Sequence, residues 1–385
     1  MSVDQFTRVS STSWFGRIGN AFKGVVIGLV LFVIAFPLLW WNEGRAIRTY
    51  KSLKEGAGAV VSVAADPVDP AHEGKLVHTS GRAETLETIA DAGFAVSAPA
   101  LKLRRQVEMY QWVEKKSSET RKKLGGSEET VTTYRYEKKW DDDLVDSARF
   151  EEPQGHRNPE RMEYRSDVIT AGRVTLGDFT LSASLLDKLN QFNPLALAAD
   201  YAVPAALGDR VRRTGEGLYV GRDPERPEVG DLRITFGTVP PQEVSVVSRQ
   251  VGQTFAPYQA KAGGVVELLQ CGVVTAADMF QHAQDVNKMI TWLVRLGGFL
   301  LMWIGVAVIL KPLSVLADVV PLIGSIVGFG VGLLAGVVAG VCSLTTIAVA
   351  WLAYRPVLAG VLIAGAVGLL FLLRRRRPSA VPRAA

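Results

Sequence analysis

Long apolar runs near both ends of the chain limit the folds open to this sequence. They cover residues 25–41, 290–310, 324–353 and 357–373, and Arg295 is the single charged residue among them. A helix of residues 25–41 would be about 26 Å long, close to the thickness of a bilayer core. A cleaved signal peptide is the alternative for this first run, but bulky residues follow it where a small-residue cleavage site would lie. We therefore expect four membrane-spanning helices.

Basic residues flank the first and the last of these runs. Arg8, Arg17 and Lys23 precede the first, and Arg374–Arg377 follow the last. Basic flanks are typical of the cytoplasmic side, and four spans place both termini on one side. We predict cytoplasmic segments at 1–24, 311–323 and 374–385, a short external turn at 354–356, and an extracytoplasmic or luminal domain at 42–289.

The polar domain carries the alternating pattern of β-strands. In residues 101–114, Leu101, Leu103 and Val107 lie on one face, and charged and aromatic residues lie on the other. Residues 131–140 alternate again, and Gly125-Gly126 lies between the two runs, so the sequence predicts a long hairpin. We expect Tyr110 and Trp112 to meet Tyr134 and Tyr136 across it.

The rest of the polar block predicts an α+β domain with short elements. Predicted strands cover 75–80, 174–179, 231–239, 243–251 and 265–270, and predicted helices cover 84–92, 182–190 and 275–286. Short matches in the same order, such as EGKLVHTSG at 73–81 and VGDLRITFG at 229–237, favour a duplicated unit. Its two copies would be residues 73–190 and 229–286, with chance similarity as the alternative.

The third and fourth apolar runs contain small residues at intervals of four. Such a ridge lets another helix approach closely in a membrane. We predict that the third and fourth spans pack together, or that the same ridge forms a homo-oligomer. The ridge residues are Gly324, Gly328, Gly332, Gly336, Gly340, Gly360, Ala364 and Gly368.

The polar block lacks the residue patterns of familiar catalytic and cofactor sites. His72 and His78 are six positions apart, which does not fit the helical zinc-protease motif. Residues 141–143 are three aspartates that could hold a cation, although a solvated turn explains them as well. We predict no catalytic residue, cofactor or metal, and we expect Arg295 to reach the lipid headgroups.

Several segments resemble the LUMA family, also called the transmembrane protein 43 family. The resemblance runs from the first apolar run to the last, and residues 101–114 are its most specific part. It implies a multi-pass membrane protein with a large luminal domain. In animals the family lies in the endoplasmic reticulum and inner nuclear membrane, where it is credited with membrane organisation. The segments are 42–46 (NEGRA), 73–74 with 76–78, 101–114 (LKLRRQVEMYQWVE), 228–233 (EVGDLR), Thr291-Trp292 with Arg295, and 354–356.

The composition, rich in alanine, arginine and glycine, suggests a prokaryotic relative of that family. We therefore expect an integral protein of the cytoplasmic membrane if the source is bacterial, or of the endoplasmic reticulum or inner nuclear membrane if it is eukaryotic. The two cysteines form no disulfide framework.

The sequence favours a non-enzymatic protein that organises membrane or protein partners through its polar domain. Membrane lipids and protein partners or a second copy are the expected partners, and Arg374, Arg375, Arg376 and Arg377 are candidates for contact with anionic lipid. The net charge of +5 includes these four residues, so it predicts no nucleic-acid surface. The alternatives are a transporter or channel component and, less favoured, a membrane-anchored hydrolase.

Overall fold

The computed structural model describes residues 4–215 and 217–354. The fourth predicted span, the ridge residues Gly360, Ala364 and Gly368, and Arg374–Arg377 lie outside the described residues. The chain divides into two compact units. The first, the β-rich unit, comprises Met1–Ser11, Ser52–Arg121 and Glu129–Ala283, and the second, the helical unit, comprises Thr12–Lys51, Lys122–Glu128 and Gln284–Ala385.

Three of the four helices in the described ranges are long. The helices are α1 (Trp14–Ala59), α2 (Ala183–Leu186), α3 (Ala276–Ala317) and α4 (Pro321–Tyr354). By length and composition, α1, α3 and α4 could each cross a membrane. They contain the first three predicted spans, which confirms a membrane protein with a large β-rich unit.

Helix α3 is longer at both ends than the span that the sequence predicts. It includes the separate helix expected at 275–286, and Thr275 caps its start by accepting a bond from the Asp278 amide at 3.2 Å. It also continues through Lys311 and Pro312 to Ala317, so the connector predicted to begin at 311 is mostly helical. A proline removes one hydrogen bond of a helix, and the surrounding turns tolerate the loss here.

The β-rich unit is built mainly from two large sheets. The first has the strand order β1-β7-β6-β14-β13-β12, and the second has the order β19-β15-β16-β10-β9-β3-β2. The strands in chain order are β1 (Gln5–Thr12), β2 (Val61–Ser62), β3 (Leu76–Glu84), β4 (Ile89–Asp91), β5 (Val96–Ala98), β6 (Lys102–Lys122), β7 (Glu128–Asp141), β8 (Asp167–Thr170), β9 (Thr175–Leu176), β10 (Phe179–Thr180), β11 (Asn193–Leu195), β12 (Val211–Thr214), β13 (Gly217–Val220), β14 (Leu232–Val239), β15 (Gln242–Val251), β16 (Thr254–Ala256), β17 (Tyr258–Gln259), β18 (Val265–Val266) and β19 (Leu268–Cys271).

Strand β6 has the buried face that its alternation predicts. Leu103, Val107 and Met109 are buried and belong to the main hydrophobic core. The predicted hairpin with β7 is confirmed, and Gly125 and Gly126 both have positive φ at its tip. Glycine carries no penalty in this conformation, which explains the pair at this turn.

The cross-strand pairs of the hairpin differ from the predicted aromatic contacts. Tyr110 lies against Trp140, with ring centroids 5.3 Å apart, and the Lys138 ammonium lies 4.7 Å from the centroid of the Trp112 ring. The Tyr136 hydroxyl donates to Glu114 at 2.8 Å. Aromatic and charged residues therefore alternate across the strands, an arrangement that adds cation–π and hydrogen-bond energy to ring packing.

Five further parts of the β-rich unit differ from the prediction. Residues 84–92 form no helix, because the Glu87 carboxylate bonds the amides of Gly172 and Arg173 at 2.7 Å each. Residues 174–179 form the tight pair β9–β10. Strands β14 and β15 lie in different sheets, since the two prolines at 240–241 separate them and cannot donate ladder bonds. Helix α2 is shorter than predicted, and residues 265–270 belong to β18 and β19.

The proposed duplication stays a prediction. The matched segments at 73–81 and 229–237 become strands β3 and β14, which lie in different sheets. Strand β3 pairs with β15, and β14 pairs with β6.

The N-terminal strand conflicts with the predicted membrane sides. Strand β1 is the edge strand of the first sheet, next to β7, and the Tyr136 amide donates to the Asp4 carbonyl at 3.0 Å. Residues 5–12 and the block at 42–289 cannot face opposite sides, because hydrogen-bonded strands lie in one compartment. The placement of 1–24 opposite this block stays a prediction, and the pairing of β1 with β7 does not agree with it.

Two glycines outside the predicted ridge, Gly28 and Gly305, allow α1 and α3 to approach closely. A side-chain carbon on Gly305 would lie 2.8 Å from the Gly28 carbonyl oxygen, and one on Gly28 would lie 2.6 Å from the Gly305 carbonyl oxygen. Helices α1 and α3 thus meet backbone to backbone, as small residues allow in a membrane.

The predicted glycine ridge of α4 only partly contacts α3. A side-chain carbon on Gly336 would lie 3.5 Å from Trp303, whereas one on Gly332 or Gly340 would meet nothing within 4 Å among the described residues. The Gly332 carbonyl accepts a bond from the Trp303 indole nitrogen at 2.8 Å. The fully buried residues Ala335 and Ala339 lie beside this ridge on α4. Packing between the third and fourth spans stays a prediction, because the fourth lies outside the described residues.

The contact between Gly28 and Gly305 predicts that alanine lowers stability at Gly305 but not at a glycine of α3 without close neighbours. We expect Gly305→Ala to destabilise the protein by about 1–3 kcal/mol, because the methyl group meets backbone atoms that cannot move aside. The matched control is Gly297→Ala on the same helix, where nothing lies within 4 Å. Thermal unfolding in detergent measures the difference, and equal melting temperatures for the two variants would contradict the contact.

Candidate functional site

A buried ion pair joins α1 and α3 just beyond the end of the first apolar run. Glu43 accepts two bonds from the Arg295 guanidinium, from Nε at 2.7 Å and from Nη2 at 2.8 Å. The Glu43 side chain is 1% exposed and that of Arg295 is 15% exposed. Two parallel bonds of this kind fix both distance and orientation, so the pair sets the register of the two helices.

Helix α4 contributes a tryptophan to the same pair. The Trp351 indole nitrogen donates to Glu43 Oε2 at 2.8 Å. The Arg295 guanidinium lies 4.9 Å from the ring centroid of Trp292 and 5.7 Å from that of Trp351. Aromatic faces stabilise a cation that has lost its water. The three long helices therefore meet at one carboxylate.

A layer of further polar groups, Arg45 among them, lies beside the ion pair. Arg45 donates to Asn287 Oδ1 at 3.0 Å and to Thr291 Oγ1 at 3.1 Å. Asn42 donates to the Thr291 carbonyl at 3.1 Å, and Asn287 donates to the Ala46 carbonyl at 3.0 Å. These bonds tie α1 to α3 over about one helical turn and satisfy polar groups that burial would otherwise penalise.

Gly44 and Tyr354 complete the site at the end of α4. A side-chain carbon on Gly44 would lie 2.7 Å from the Tyr354 ring, so only glycine leaves room for it. Tyr354 also packs on Trp40, with ring centroids 5.7 Å apart. Tryptophan and tyrosine are typical of the boundary between lipid and water.

A cleft of about 400 Å³ opens beside these groups. It is lined by Glu43, Ala46, Ile47, Tyr50, Asn287, Lys288, Thr291, Trp292, Arg295 and Trp351. These side chains present charged and hydrogen-bonding groups to the cleft. We call the ion pair, its polar layer and this cleft together the helix junction.

The junction corrects the expectation that Arg295 reaches the lipid headgroups. Its side chain is paired with Glu43 and mostly buried. A sequence signal for this existed: Glu43 lies just beyond the end of the first apolar run, and Arg295 lies near the start of the second. Antiparallel helices place such residues at one level, where opposite charges pair.

A second ion cluster lies where α3 meets α4. Asp318 is buried and pairs with Arg17 and with Lys122, whose Nζ is 2.7 Å away. Arg17 also contacts Glu128 at 2.7 Å and donates to the Gly126 carbonyl at 2.6 Å. The hairpin tip Lys122–Glu128, predicted to be extracytoplasmic, thus touches α1 and the α3–α4 turn, which were predicted to be cytoplasmic. Groups in contact lie on one side of a membrane, so these placements exclude each other.

The β-rich unit contains a polar cluster around His156. The ring of His156 stacks on Tyr136 with centroids 3.9 Å apart, and its Nε2 lies 2.9 Å from Asp4 Oδ2. Burial, followed by the hydrogen bond to Glu114, raises the pKa of Tyr136 to about 12. The cluster joins β1, β7 and the loop after β7, so its role is to hold the N-terminal strand.

The other candidate groups have structural partners. Asp141, Asp142 and Asp143 lie close together, but Lys139 contacts Asp141 at 2.6 Å and lowers the pKa of that carboxyl group. His78 lies 2.9 Å from the Val274 carbonyl. Burial raises the pKa of the Cys271 thiol, which keeps it protonated and unreactive. The absence of catalytic, cofactor and metal sites stays a prediction.

The fold and the helix junction together define a class: membrane proteins in which long apolar helices carry a large β-rich unit. The family model for Transmembrane protein 43 matches residues 109–356, most of the chain. The chain belongs to this family. The segments that carried the resemblance at 42–46, at Thr291-Trp292 with Arg295, and at Tyr354 all meet in the helix junction.

Individual relatives cover nearly the whole chain. Transmembrane protein 43 of Rattus norvegicus is 36% identical over 374 residues, which are 94% of this chain and 92% of the relative. The Homo sapiens protein is 35% identical and covers 96% and 93%. The Drosophila melanogaster homolog is 32% identical and covers 89% and 92%. These relatives are animal proteins, so they lend no support to the prokaryotic origin that composition suggests. No solved structure matches the chain.

The ion pair predicts that removing one charge is worse than removing both. Glu43→Gln leaves Arg295 buried without its carboxylate, and we expect a loss of about 3–5 kcal/mol in stability. The double variant Glu43→Gln with Arg295→Met should recover most of that loss, because no unpaired charge remains. Thermal unfolding of the full chain in detergent measures both.

The exposed Arg48 supplies the control for this cycle. Arg48→Gln on the same helix should change the melting temperature little, since surface charges contribute little. If the losses in stability from Glu43→Gln and Arg295→Met simply add in the double variant, the pairing is contradicted.

The raised pKa of Tyr136 predicts a pH-dependent contribution to stability. The folded state favours the neutral phenol, so its folded pKa of about 12 exceeds the unfolded value of about 10. The contribution is complete below pH 10 and is lost as the pH rises towards 12. Tyr136→Phe should therefore be less stable than the wild type at pH 9, and the difference should shrink by pH 12. Melting curves test this with Tyr134→Phe as control; a difference that grows with pH would refute the assignment.

Proposed function

We propose that this protein is a non-enzymatic integral membrane protein that organises membrane or protein partners through its β-rich unit. The observation that carries the proposal is the helix junction. Its buried charges are matched with each other, and its bonds join helices rather than prepare a reacting group. A chain that combines apolar helices with a large β-rich unit suits a protein that presents a surface at a membrane.

The polar groups of the described helices support this proposal over transport. A transport path needs polar groups free to bind an ion or solute. Arg295 is occupied by Glu43, Thr346 donates to the Cys342 carbonyl at 2.7 Å, and Ser343 donates to the Gly340 carbonyl at 3.1 Å. These groups satisfy their own helix or its neighbour.

The cellular setting is part of the proposal. We expect an integral protein of the cytoplasmic membrane in a bacterium, or of the endoplasmic reticulum or inner nuclear membrane in a eukaryote. The partners would be membrane lipids with other proteins or further copies of the chain. Because strand β1 shares a sheet with β7, the two strands should show the same accessibility to protease in sealed vesicles.

Site-directed photo-cross-linking tests the organising role. A benzophenone side chain at the exposed Leu86 of the β-rich unit should give a discrete adduct of reproducible mass in membranes, either a dimer or a defined heterocomplex. The same group at the buried Leu185 is the control and should give no intermolecular adduct. A chain that stays monomeric at several exposed positions, and that purifies in mild detergent without protein or lipid, would contradict the proposal.

A further inference from the structure

Among the residues that the structure describes, those lining the cleft of the helix junction are rich in hydrogen-bond donors and include no free carboxylate. Glu43 is its one acidic lining residue, and its oxygens already accept bonds from Arg295 and Trp351. The lining also includes Lys288, Tyr50 and Trp292. Lys288 pairs only with Asp285, and both side chains of that pair are more than half exposed. Such a pair is weak and is readily exchanged for another anion.

Several donors around the cleft lack an acceptor among the residues that the structure describes. No hydrogen bond within the described ranges involves the hydroxyl of Tyr50 or the indole nitrogen of Trp292. Arg45 contacts the lining residues Asn287 and Thr291, and its Nε is buried without a partner. A buried donor without an acceptor costs free energy, which applies to Arg45 Nε. Tyr50 and Trp292 are exposed, so their donors are open to an acceptor that enters the cleft.

The charge balance points in the same direction. Arg45, Arg295 and Lys288 are cations, whereas Glu43 and Asp285 are the carboxylates that face them. An anion with several acceptor oxygens therefore meets both the excess positive charge and the unused donors. A phosphate group provides such oxygens, and lysine is a common binder of phosphate.

The position of the cleft favours a lipid as the source of this phosphate. Trp40 and Trp41 end the apolar run of α1, and Trp292 lies near the start of the apolar run of α3. The side chain of Trp292 is 67% exposed. Exposed tryptophans at the end of the first apolar run and at the start of the second mark the level of the headgroups, where lipid phosphates lie.

We propose that this cleft binds the phosphate of an anionic phospholipid headgroup, with Lys288 as its main charge and Tyr50 and Trp292 as neutral donors. This inference rests on the proposed membrane function and names the ligand of its helical unit. It differs from the predicted contact of Arg374–Arg377 with anionic lipid, because it uses donors held by two packed helices.

Lipid titration of the full-length protein in detergent tests the site. The probe is dioleoyl phosphatidylglycerol, added to delipidated protein while the melting temperature is followed. We expect a saturable rise for the wild type, and about a fivefold higher half-saturating concentration for Lys288→Ala. Lys288→Arg should restore binding, because it keeps the charge. Lys311→Ala at the other end of α3 is the matched control and should bind as the wild type does.

Two further ligands separate the possible sources of the signal. Dioleoylglycerol, which lacks the phosphate, should give no saturable rise, and soluble glycerol phosphate should give little. Equal effects of phosphatidylglycerol and dioleoylglycerol, or of phosphatidylglycerol and glycerol phosphate, would overturn the proposal. So would unchanged binding in Lys288→Ala.

Adducts at Leu86 test the proposed function separately. Their absence together with saturable lipid binding would remove the organising role and leave the cleft in place. Adducts without lipid binding would remove only the cleft.

Discussion

The pairing of Glu43 with Arg295 is the interaction on which the helical unit depends. A charge buried without a partner costs several kcal/mol, so neither residue tolerates displacement of the helix that carries the other. The bidentate geometry leaves α1 and α3 a single register, and Trp351 adds α4 to the same carboxylate. Apolar side chains could slide past one another in lipid, since lipid contacts resemble protein contacts. The charges are what fix the arrangement.

The apolar part of α1 lies between two polar clusters. Arg17 belongs to the Asp318 cluster and Glu43 to the helix junction. The 26 residues from one to the other correspond to about 39 Å of helix. Between them, Gly28 and Gly305 bring α1 and α3 together by backbone contact. Glycine allows the close approach, and the ion pairs select where along the helices it occurs.

Much of this architecture could be predicted from local patterns. The apolar runs identify the long helices, the alternation at 101–114 identifies the buried face of β6, and Gly125-Gly126 identifies the hairpin. The partners of each element were less predictable, because they depend on residues distant in sequence. The sequence alone predicts that Arg295 reaches the lipid headgroups. In the structure it pairs with Glu43, which is 252 positions away. Likewise, the alternation of residues 5–12 carries no sign that they join the sheet of β7. Gly28 has one glycine at the spacing of four, Gly24, and Gly305 has none, so neither shows the long repeat of the ridge on α4.

Disulfide cross-linking in native membranes tests the helix junction most directly. With Cys271 and Cys342 replaced by serine, cysteines at Ala46 and Asn287 should oxidise rapidly to an intramolecular disulfide, because the Asn287 side chain reaches the Ala46 carbonyl at 3.0 Å. Cysteines at Ala46 and Met289 form the control pair, since the exposed Met289 lies on a different face of α3. Rapid cross-linking of the first pair alone is the result that the account predicts. Equal rates for the two pairs, or no cross-link in either, would contradict it.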